Sequence, residues 1–363
     1  MSQNLNTTMN PNQPNVTGGR IEYIDALRGF TMLLVVFGHV VTFSLCTANQ
    51  GISLNDYFTQ VRMPMFFFIS GFVLYKASVV WNAKHIIAFF RKKIPVQLLS
   101  PFLFFIAYIH FMDIPFFDAV SQQFKAGYWF TYVLLEYYLI YAFVRFCFRG
   151  KWGHVVVFLF GLLLYAIEWP PLYDAIPLNN QWKEILSIPK WDYFLYFVLG
   201  TLVHKNYSLV QQLLDSKWLL TFCILYYFLV NVFRDMLHFD ALFSVVLDRT
   251  LSLTGLVILF SFFRNKQAVF SKERVLGRTL QYVGRRTLDV YLIHYFLIPY
   301  GMQFNKVFVE HPMPVIEATV SFVIAAIILA FSLAISNIIR LSPLLAHWLF
   351  GAKLPPKTEN ATS

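Results

Sequence analysis

The sequence predicts an all-α, polytopic membrane protein with about ten transmembrane helices and both termini in the cytoplasm. Of its 363 residues, 58% are hydrophobic and 19% aromatic, only 13% are charged, and the mean hydropathy is +0.57. A soluble domain carries about 25% charged residues. A third observation, the placement of lysine and arginine in alternate loops, predicts which loops face the cytoplasm.

The first twenty residues are polar and almost uncharged, and they lack the basic and apolar regions of a signal peptide. We expect residues 1–20 to be a disordered tail, residues 21–350 to form one transmembrane domain, and residues 351–363 to be a second disordered tail. Several apolar segments are shorter than the ~20 residues of a perpendicular crossing, which predicts tilt or re-entry. In order, the segments are 26–46, 63–80, 96–112, 128–148, 155–167, 191–203, 218–233, 241–263, 287–302 and 314–339.

The basic residues support this count. With the N-terminus inside, 22 of the 29 lysines and arginines fall at the cytoplasmic ends of the segments, and Arg249 lies within one. Such a bias predicts orientation in membranes. Because the net charge of +10 is spread over helix ends, it does not indicate nucleic-acid binding. The six outer basic residues are Arg62, Lys125, Lys183, Lys190, Arg234 and Lys306.

Two basic clusters stand out on the predicted cytoplasmic face. One is "FFRKKIP", with Arg91, Lys92 and Lys93, and the other is "GRTLQYVGRR", with Arg285 and Arg286. Each cluster fits anchoring to anionic membrane lipid or binding of an anionic cytoplasmic ligand. The three cysteines are scattered and form neither a disulfide framework nor a metal-binding spacing.

The first segment carries Arg28 near its cytoplasmic end and His39 deep within it. Ionisable groups inside a membrane are costly, so each indicates a functional site. Eleven residues turn a helix about 20° past three full turns and rise ~16 Å, so both side chains lie on one face. This suits a long ligand with an anionic end at Arg28 and a reactive end at His39. A snorkelling arginine and a structural histidine remain the alternative.

Three further charges lie at a similar depth in other segments, namely Glu136, Asp248 and Arg249. Glu136 or Asp248 would orient the imidazole of His39, and Arg249 would balance the carboxylates. An acid, a base and a countercharge in a low-dielectric site form a plausible catalytic group. A salt-bridge network between helices is the alternative. His294 is expected to be mainly a packing or supporting residue.

Five stretches, in order, carry a family resemblance. They are "DALRG" followed by "GH", "MPMFFFISGFVLYK", "FFRKKIPVQLLSP", "GYWFTYVLLEYYL" and "GRRTLDVYLIHYF". Over about residues 21–350 the chain resembles the acyltransferase-3 family of integral membrane O-acyltransferases. Its basic motif reads Arg-Lys-Lys where relatives often have more arginines, and no extracytoplasmic hydrolase-like domain is expected after the last segment.

The resemblance implies transfer of an acyl group, commonly acetyl, from cytoplasmic acyl-CoA to a hydroxyl of an extracytoplasmic glycan or lipid-linked sugar. It implies a multi-pass protein of the inner (plasma) membrane without a permanently bound cofactor. It also implies that Arg28 and His39 are functional. Arg28, with the cluster at Arg91–Lys93 or at Arg285–Arg286, would hold the phosphates of acyl-CoA.

The sequence leaves the role of His39 open between general base and acyl-carrying nucleophile. It also leaves open a transporter or flippase of a lipid-linked sugar, which would need buried charges as well. Transporters usually contain internal repeats with broken helices in matching halves, and none is visible here. A membrane sensor in which His39 titrates is a third alternative.

Overall fold

The computed structural model describes residues 20–48, 53–167, 170–233, 241–301 and 305–354. No strand occurs among them, which confirms the all-α prediction, and the predicted tails lie largely outside these ranges. The first nine helices, α1 to α9, are Glu22–His39, Asp56–Leu74, Ala83–Ile94, Ser100–Phe111, Phe116–Ser121, Trp129–Cys147, Gly150–Tyr165, Pro170–Asp174 and Asn180–Ile185. The others, α10 to α18, are Phe194–Lys205, Tyr207–Leu214, Lys217–Phe233, Ala241–Asn265, Val275–Arg285, Thr287–Ile293, Asn305–Glu310, Pro314–Ile339 and Pro343–Phe350.

Among the described residues, six helical stretches are long and apolar enough to cross a membrane: Glu22–Leu45, Asp56–Leu74, Ala83–Phe111, Trp129–Cys147, Phe243–Asn265 and Pro314–Ile339. A seventh arises if α11 and α12, which meet at a bend of 68°, form one broken span. The predicted segments 155–167, 191–203 and 287–302 correspond to shorter helices, α7, α10 and α15. The chain is therefore a multi-helix membrane protein, and the count of ten stays a prediction.

Two helix pairs cross at glycines. A Cβ atom on Gly29 of α1 would lie 2.0 Å from a carbonyl oxygen of α14, and one on Gly284 of α14 would lie 1.9 Å from the carbonyl oxygen of Asp25. In the same way, a Cβ atom on Gly71 of α2 would meet the backbone of α10, and one on Gly200 of α10 would meet the backbone of α2. Small residues at such crossings let backbones approach closely. They hold α1 directly against α14, and α2 against α10.

The polar residues gather at two opposite ends of the bundle. At one end, Arg264 of α13 donates to Asp215 at 2.7 Å, and Glu22 of α1 accepts from the backbone of Lys272. At the other end of α1, His39 meets His294. Arg264 and Lys272, which the charge pattern assigns to the cytoplasm, lie at the first end. Which side of the membrane each end faces stays a prediction.

The first span changes its helical geometry directly after His39. α1 is regular from Glu22 to His39 and continues as a π-helical turn over Val40–Leu45. Such turns occur frequently at functional sites, where they alter the spacing of side chains. Arg28 and His39 lie on one unbroken α-helix, as their spacing requires for a shared face ~16 Å long.

Candidate active site

His39 lies in an aromatic cluster at the end of α1. Its ring is nearly parallel to that of His294, with centroids 5.1 Å apart and 8° between the planes. The rings of Tyr295 and Phe43 lie 4.9 Å and 5.7 Å from it. His294 and Tyr295 are buried, whereas His39 is only partly so. His39 is therefore the most accessible of the three polar rings.

The hydrogen bonds of this cluster determine which nitrogen of His39 carries the proton. Nδ1 of His294 lies 2.9 Å from the carbonyl oxygen of Val290, which can only accept, so this Nδ1 is protonated. In neutral His294, Nε2 then carries a lone pair, and it lies 3.0 Å from Nδ1 of His39. His39 therefore donates through Nδ1 and is unprotonated at Nε2. This lone pair accepts from the Tyr295 hydroxyl at 3.2 Å.

Tyr295 is held by a glycine backbone and by other tyrosines. A Cβ atom on Gly127, whose φ is +95°, would lie 2.2 Å from the Tyr295 ring, so the ring packs directly on the backbone there. The rings of Tyr108 and Tyr128 lie 5.7 Å and 5.6 Å from it. The hydroxyl of Tyr300 donates to the Tyr295 carbonyl at 3.4 Å. These contacts place the phenol beside His39.

Arg62 of α2 brings a positive charge to the same place. Its Nη1 fills the space of an absent side chain, because a Cβ atom on Gly38 would lie 1.2 Å from it. Nη1 donates to Oδ1 of Asn55 at 2.9 Å, and the charge is close enough to act on His39 and Tyr295. The charge pattern places Arg62 among the outer loop residues, whereas the structure places it in a span beside the predicted base.

Arg28 lies nearer the other end of α1. Its charge acts on Tyr138 of α6, and Nζ of Lys93 lies 4.8 Å from the centroid of the same ring. Arg28 and Lys93 therefore approach one tyrosine from α1 and α3. Arg91 and Lys92, on the same turn of α3 as Lys93, are exposed. The structure thus brings one member of the first basic cluster close to Arg28.

The second basic cluster divides between two neighbourhoods. Arg286 donates to Asp289 at 3.2 Å, and Arg340 holds the same carboxylate at 2.8 Å. Asp289 is 2% exposed, so the two arginines compensate a buried negative charge. The charge of Arg285 instead acts on Asp25 of α1. Arg285 is therefore the member of this cluster that lies near Arg28.

Glu136 belongs to a separate polar group. Its carboxylate accepts from the indole nitrogen of Trp191 at 3.3 Å, and Tyr132 of the preceding turn lies close to it. Nearby, Nζ of Lys125 donates to the carbonyl oxygen of Glu184 at 2.8 Å. Burial lowers the pKa of the Lys125 ammonium, and the charges of Glu136 and Glu184 act in the opposite direction. Glu136 is thus a partly accessible carboxylate among aromatic and basic groups.

Asp248 of α13 accepts from the side chain of Gln60 at 3.0 Å. Both ring nitrogens of His39 have partners from the segment that begins at α15, so His294 fills the orienting role that the sequence assigns to Glu136 or Asp248. His294 takes this role because the end of α1 that carries His39 packs on this segment. Participation of the two carboxylates in catalysis stays a prediction.

Sequence reasoning left parts of this site unassigned. It counted Arg62 as a loop charge, expected His294 to be mainly a packing or supporting residue without naming it as the partner of His39, and did not single out Tyr295. The signal that could have found the last two is the dipeptide His294-Tyr295, two adjacent polar rings that end the apolar stretch "LDVYLI". Arg62 carried a weaker signal, because it directly precedes the apolar run "MPMFFFISGF".

A comparison with protein families finds a match over nearly the whole of this helical domain. A family model described as an acyltransferase domain matches residues 21–339. No curated protein and no solved structure matches the chain.

Proposed function

The chain belongs to the acyltransferase-3 family of membrane acyltransferases, and from this premise we propose that it transfers an acyl group, in particular acetyl, from cytoplasmic acyl-CoA to a hydroxyl of an extracytoplasmic or lipid-linked glycan. The observation that carries the proposal is the hydrogen-bond chain that leaves the Nε2 lone pair of His39 directed at a hydroxyl group. A buried base with its tautomer fixed is what proton abstraction from an alcohol requires.

The donor enters along α1 from the end that carries Arg28. The guanidinium of Arg28 suits the phosphates of CoA, because its planar fork binds two oxygens at once. Lys93 approaches from α3 and Arg285 from α14, which supports a phosphate site between three helices. The extended pantetheine arm then covers the ~16 Å from Arg28 to His39.

His39 acts on the acceptor at the other end. The acceptor hydroxyl takes the position of the Tyr295 hydroxyl at Nε2 of His39 and gives up its proton there as its oxygen attacks the thioester carbon. The carbonyl oxygen becomes negatively charged in the tetrahedral intermediate. When the carbonyl re-forms, the C–S bond breaks, and the thiolate of CoA takes the proton from the imidazolium. Val290, through His294, keeps the ring in the required tautomer.

The acceptor side of the site contains groups suited to a sugar. Glu136 offers a partly accessible carboxylate that can accept from sugar hydroxyls, and the rings of Trp129 and Tyr193 lie 6.2 Å apart. Aromatic faces and a few placed polar groups are typical of small-molecule sites. These groups lie at the end predicted to face outward, so the acceptor is a glycan outside the cytoplasm or one held by a membrane lipid. The proposed location of the protein is the inner membrane.

The test is release of free CoA from acetyl-CoA by the purified protein in lipid vesicles that contain a membrane extract as the source of acceptor. The wild type is expected to release thiol, and His39→Ala is expected to lose at least ~10²-fold of this rate, the low end for losing a general base. His39→Gln keeps a hydrogen bond but cannot carry a proton, so it should be nearly as inactive.

His110→Gln is the matched control, because His110 is an exposed histidine of α4 and is not one of the three polar rings of the cluster. It should retain the wild-type rate. A wild-type protein that releases no CoA above an empty-vesicle blank would contradict the proposal and favour the flippase alternative. A stoichiometric burst of CoA in the absence of acceptor would show instead that His39 carries the acyl group as a nucleophile.

A further inference from the structure

Arg62 differs from two other arginines that lie between helices. Arg264 pairs with Asp215 at 2.7 Å and Arg340 pairs with Asp289 at 2.8 Å, so each has a carboxylate in direct contact. Arg62 is half-buried between α1 and α2, and among the described residues no carboxylate lies at ion-pair distance from it; the charge of Asp56, at the start of the same helix, acts on it from farther away. A half-buried cation without a contacting anion is costly, so its presence needs an explanation.

The hydrogen bonds of Arg62 all go to neutral groups. Nη1 donates to Oδ1 of Asn55 at 2.9 Å and, weakly, to the carbonyl oxygen of Leu34 at 3.4 Å. Nη2 donates to Oγ1 of Thr59 at 3.2 Å. A guanidinium has five N–H donors, so within the described residues two remain for a further partner. The guanidinium therefore keeps two donors for a partner that the described residues do not provide.

A second set of contacts holds this arginine in place. The buried carboxylate of Glu317 in α17 accepts from Thr47 at 2.8 Å and from Ser53 at 3.0 Å. The Ser53 hydroxyl in turn accepts from the backbone N–H of Asn55 at 3.1 Å, and Asn55 accepts from Arg62. The chain from α17 to Arg62 thus fixes the guanidinium before any substrate arrives, which is the preorganisation that electrostatic catalysis requires.

The position of Arg62 relative to His39 is set by a missing side chain. Gly38 directly precedes His39, and the guanidinium occupies the space that a side chain at Gly38 would take. The charge acts on the His39 ring and on the Tyr295 hydroxyl, the two groups that meet at the predicted reaction centre. A negative charge that develops within reach of His39 would therefore find its countercharge at Arg62.

We infer that Arg62 is a catalytic residue that stabilises the oxyanion formed on the acyl carbonyl during transfer. The inference rests on the proposed function. When the acceptor oxygen bonds to the thioester carbon and its proton moves to Nε2 of His39, the carbonyl electron pair moves onto oxygen. The unused N–H donors of Arg62 hold this oxygen until the C–S bond breaks and the carbonyl re-forms. The guanidinium, which has no contacting carboxylate among the described residues, is thus matched by an anion that exists only during the reaction.

A structural role for Arg62, as a link between α1 and the start of α2, gives different expectations. Two variants separate the two roles. Arg62→Lys keeps the charge but loses the planar fork. Asn55→Asp replaces the amide oxygen that lies 2.9 Å from Nη1 of Arg62 by a carboxylate oxygen. The variant keeps or strengthens the contact between the two side chains while it neutralises the guanidinium charge. Arg264→Lys is the matched control, because Arg264 is a buried arginine at the opposite end of the bundle.

The experiment measures kcat and KM for acetyl-CoA together with the thermal unfolding temperature in detergent. For Arg62→Lys we expect kcat to fall ~10²–10³-fold with little change in KM, the usual cost of one oxyanion donor. For Asn55→Asp we expect kcat to fall at least ~10-fold while the unfolding temperature is unchanged or raised. Arg264→Lys should keep the wild-type kcat.

Wild-type kcat in Asn55→Asp, with the protein folded, would overturn the oxyanion role and leave Arg62 as a link between helices. The same conclusion follows if Arg62→Lys unfolds at a lower temperature but turns over normally at permissive temperature. Failure of the proposed function itself is distinguishable, because the wild type would then release no CoA from acetyl-CoA in the same assay.

Discussion

At the scale of single residues, the candidate site depends on contacts between residues far apart in the chain. His39 and His294 are separated by 255 positions, yet their rings share a hydrogen bond of 3.0 Å. The sequence alone singled out His39 and Arg28 as candidates, because both sit on one helix whose geometry follows from residue spacing. It could not identify the partner of His39, because that choice depends on how α1 packs against α15 and not on any local pattern.

The tautomer argument predicts the effect of changing His294. His294→Ala removes the acceptor for Nδ1 of His39, so the ring loses its fixed tautomer and kcat should fall ~10²-fold or more, as when the orienting residue of a catalytic triad is lost. His294→Gln supplies a carbonyl oxygen as acceptor and should recover a substantial part of the rate. The measurement is kcat and KM for acetyl-CoA, with KM expected to stay constant in both variants.

Two results would argue against this positioning role. If His294→Gln is as inactive as His294→Ala while both fold, an acceptor at this position is not what the ring needs. If His294→Ala keeps its kcat and loses only thermal stability, His294 is the packing residue that the sequence suggested.

Arg28 gives a separate prediction about the donor. If its guanidinium binds a phosphate of CoA, Arg28→Ala should weaken acyl-CoA binding by ~1–3 kcal/mol, the usual range for a charge-assisted hydrogen bond. Arg28→Lys should lose less binding free energy, because the positive charge remains although the planar fork of the guanidinium is lost. The measurement is equilibrium binding of CoA to detergent-purified protein. Arg149→Ala, at an exposed position before α7, is the control; equal affinities in Arg28→Ala and the control would return Arg28 to an anchoring role.

At the scale of the elements, runs of apolar residues identified most of the long helices but not their endings. Segment 26–46 corresponds to α1 and the π turn that follows, and segment 314–339 to α17. The π turn at Val40–Leu45 has no sequence signature, because its residues are apolar like those of the helix before it. The amphipathic α3 and α14, which carry the two basic clusters, were treated as loops, since their charged residues hide the helical period.

The glycine crossing of α1 and α14 predicts a local dependence on side-chain size. Gly284→Ala would place a Cβ atom 1.9 Å from a carbonyl oxygen of α1, so the helices must separate. We expect a loss of at least ~1–3 kcal/mol in stability, the usual cost of overpacking, seen as a lower unfolding temperature in detergent. Weaker acyl-CoA binding should accompany it, because Arg28 and Arg285 move apart.

Gly161→Ala in α7 is the comparison, since its Cβ would lie 3.4 Å from a flexible leucine side chain. It should unfold near the wild-type temperature. Equal unfolding temperatures for the two variants would mean that α1 and α14 do not need their close approach.

At the scale of the whole molecule, composition and charge correctly predicted a helical membrane protein, and short motifs predicted the family. The all-helical architecture and the match over residues 21–339 confirm both. The number of crossings is harder to predict, because several apolar helices are shorter than the bilayer core. Gly150–Tyr165 and Phe194–Lys205 belong to the protein interior or to tilted spans, and hydropathy alone does not separate these cases.

Topology can be tested directly. We expect reporters fused at Lys353 and within the loop 266–274 to be cytoplasmic, and one at Asp118 to be extracytoplasmic, because of the split of basic residues between alternate loops. Paired fusions to a phosphatase active only outside and to a fluorescent protein that folds only inside give opposite readings at each site. An extracytoplasmic reading at Lys353 would mean an odd number of crossings and would contradict entry of the donor from the cytoplasm.

The unbroken helix from Glu22 to His39 has a consequence for how the protein can move while it works. Arg28 and His39 belong to the same rigid rod, so the interval between them does not change when neighbouring helices slide or tilt. The other groups at His39 come from separate segments, α2 and the turn after α15. Under the proposed function, a shift of these segments would leave the reach of the donor towards the base unchanged.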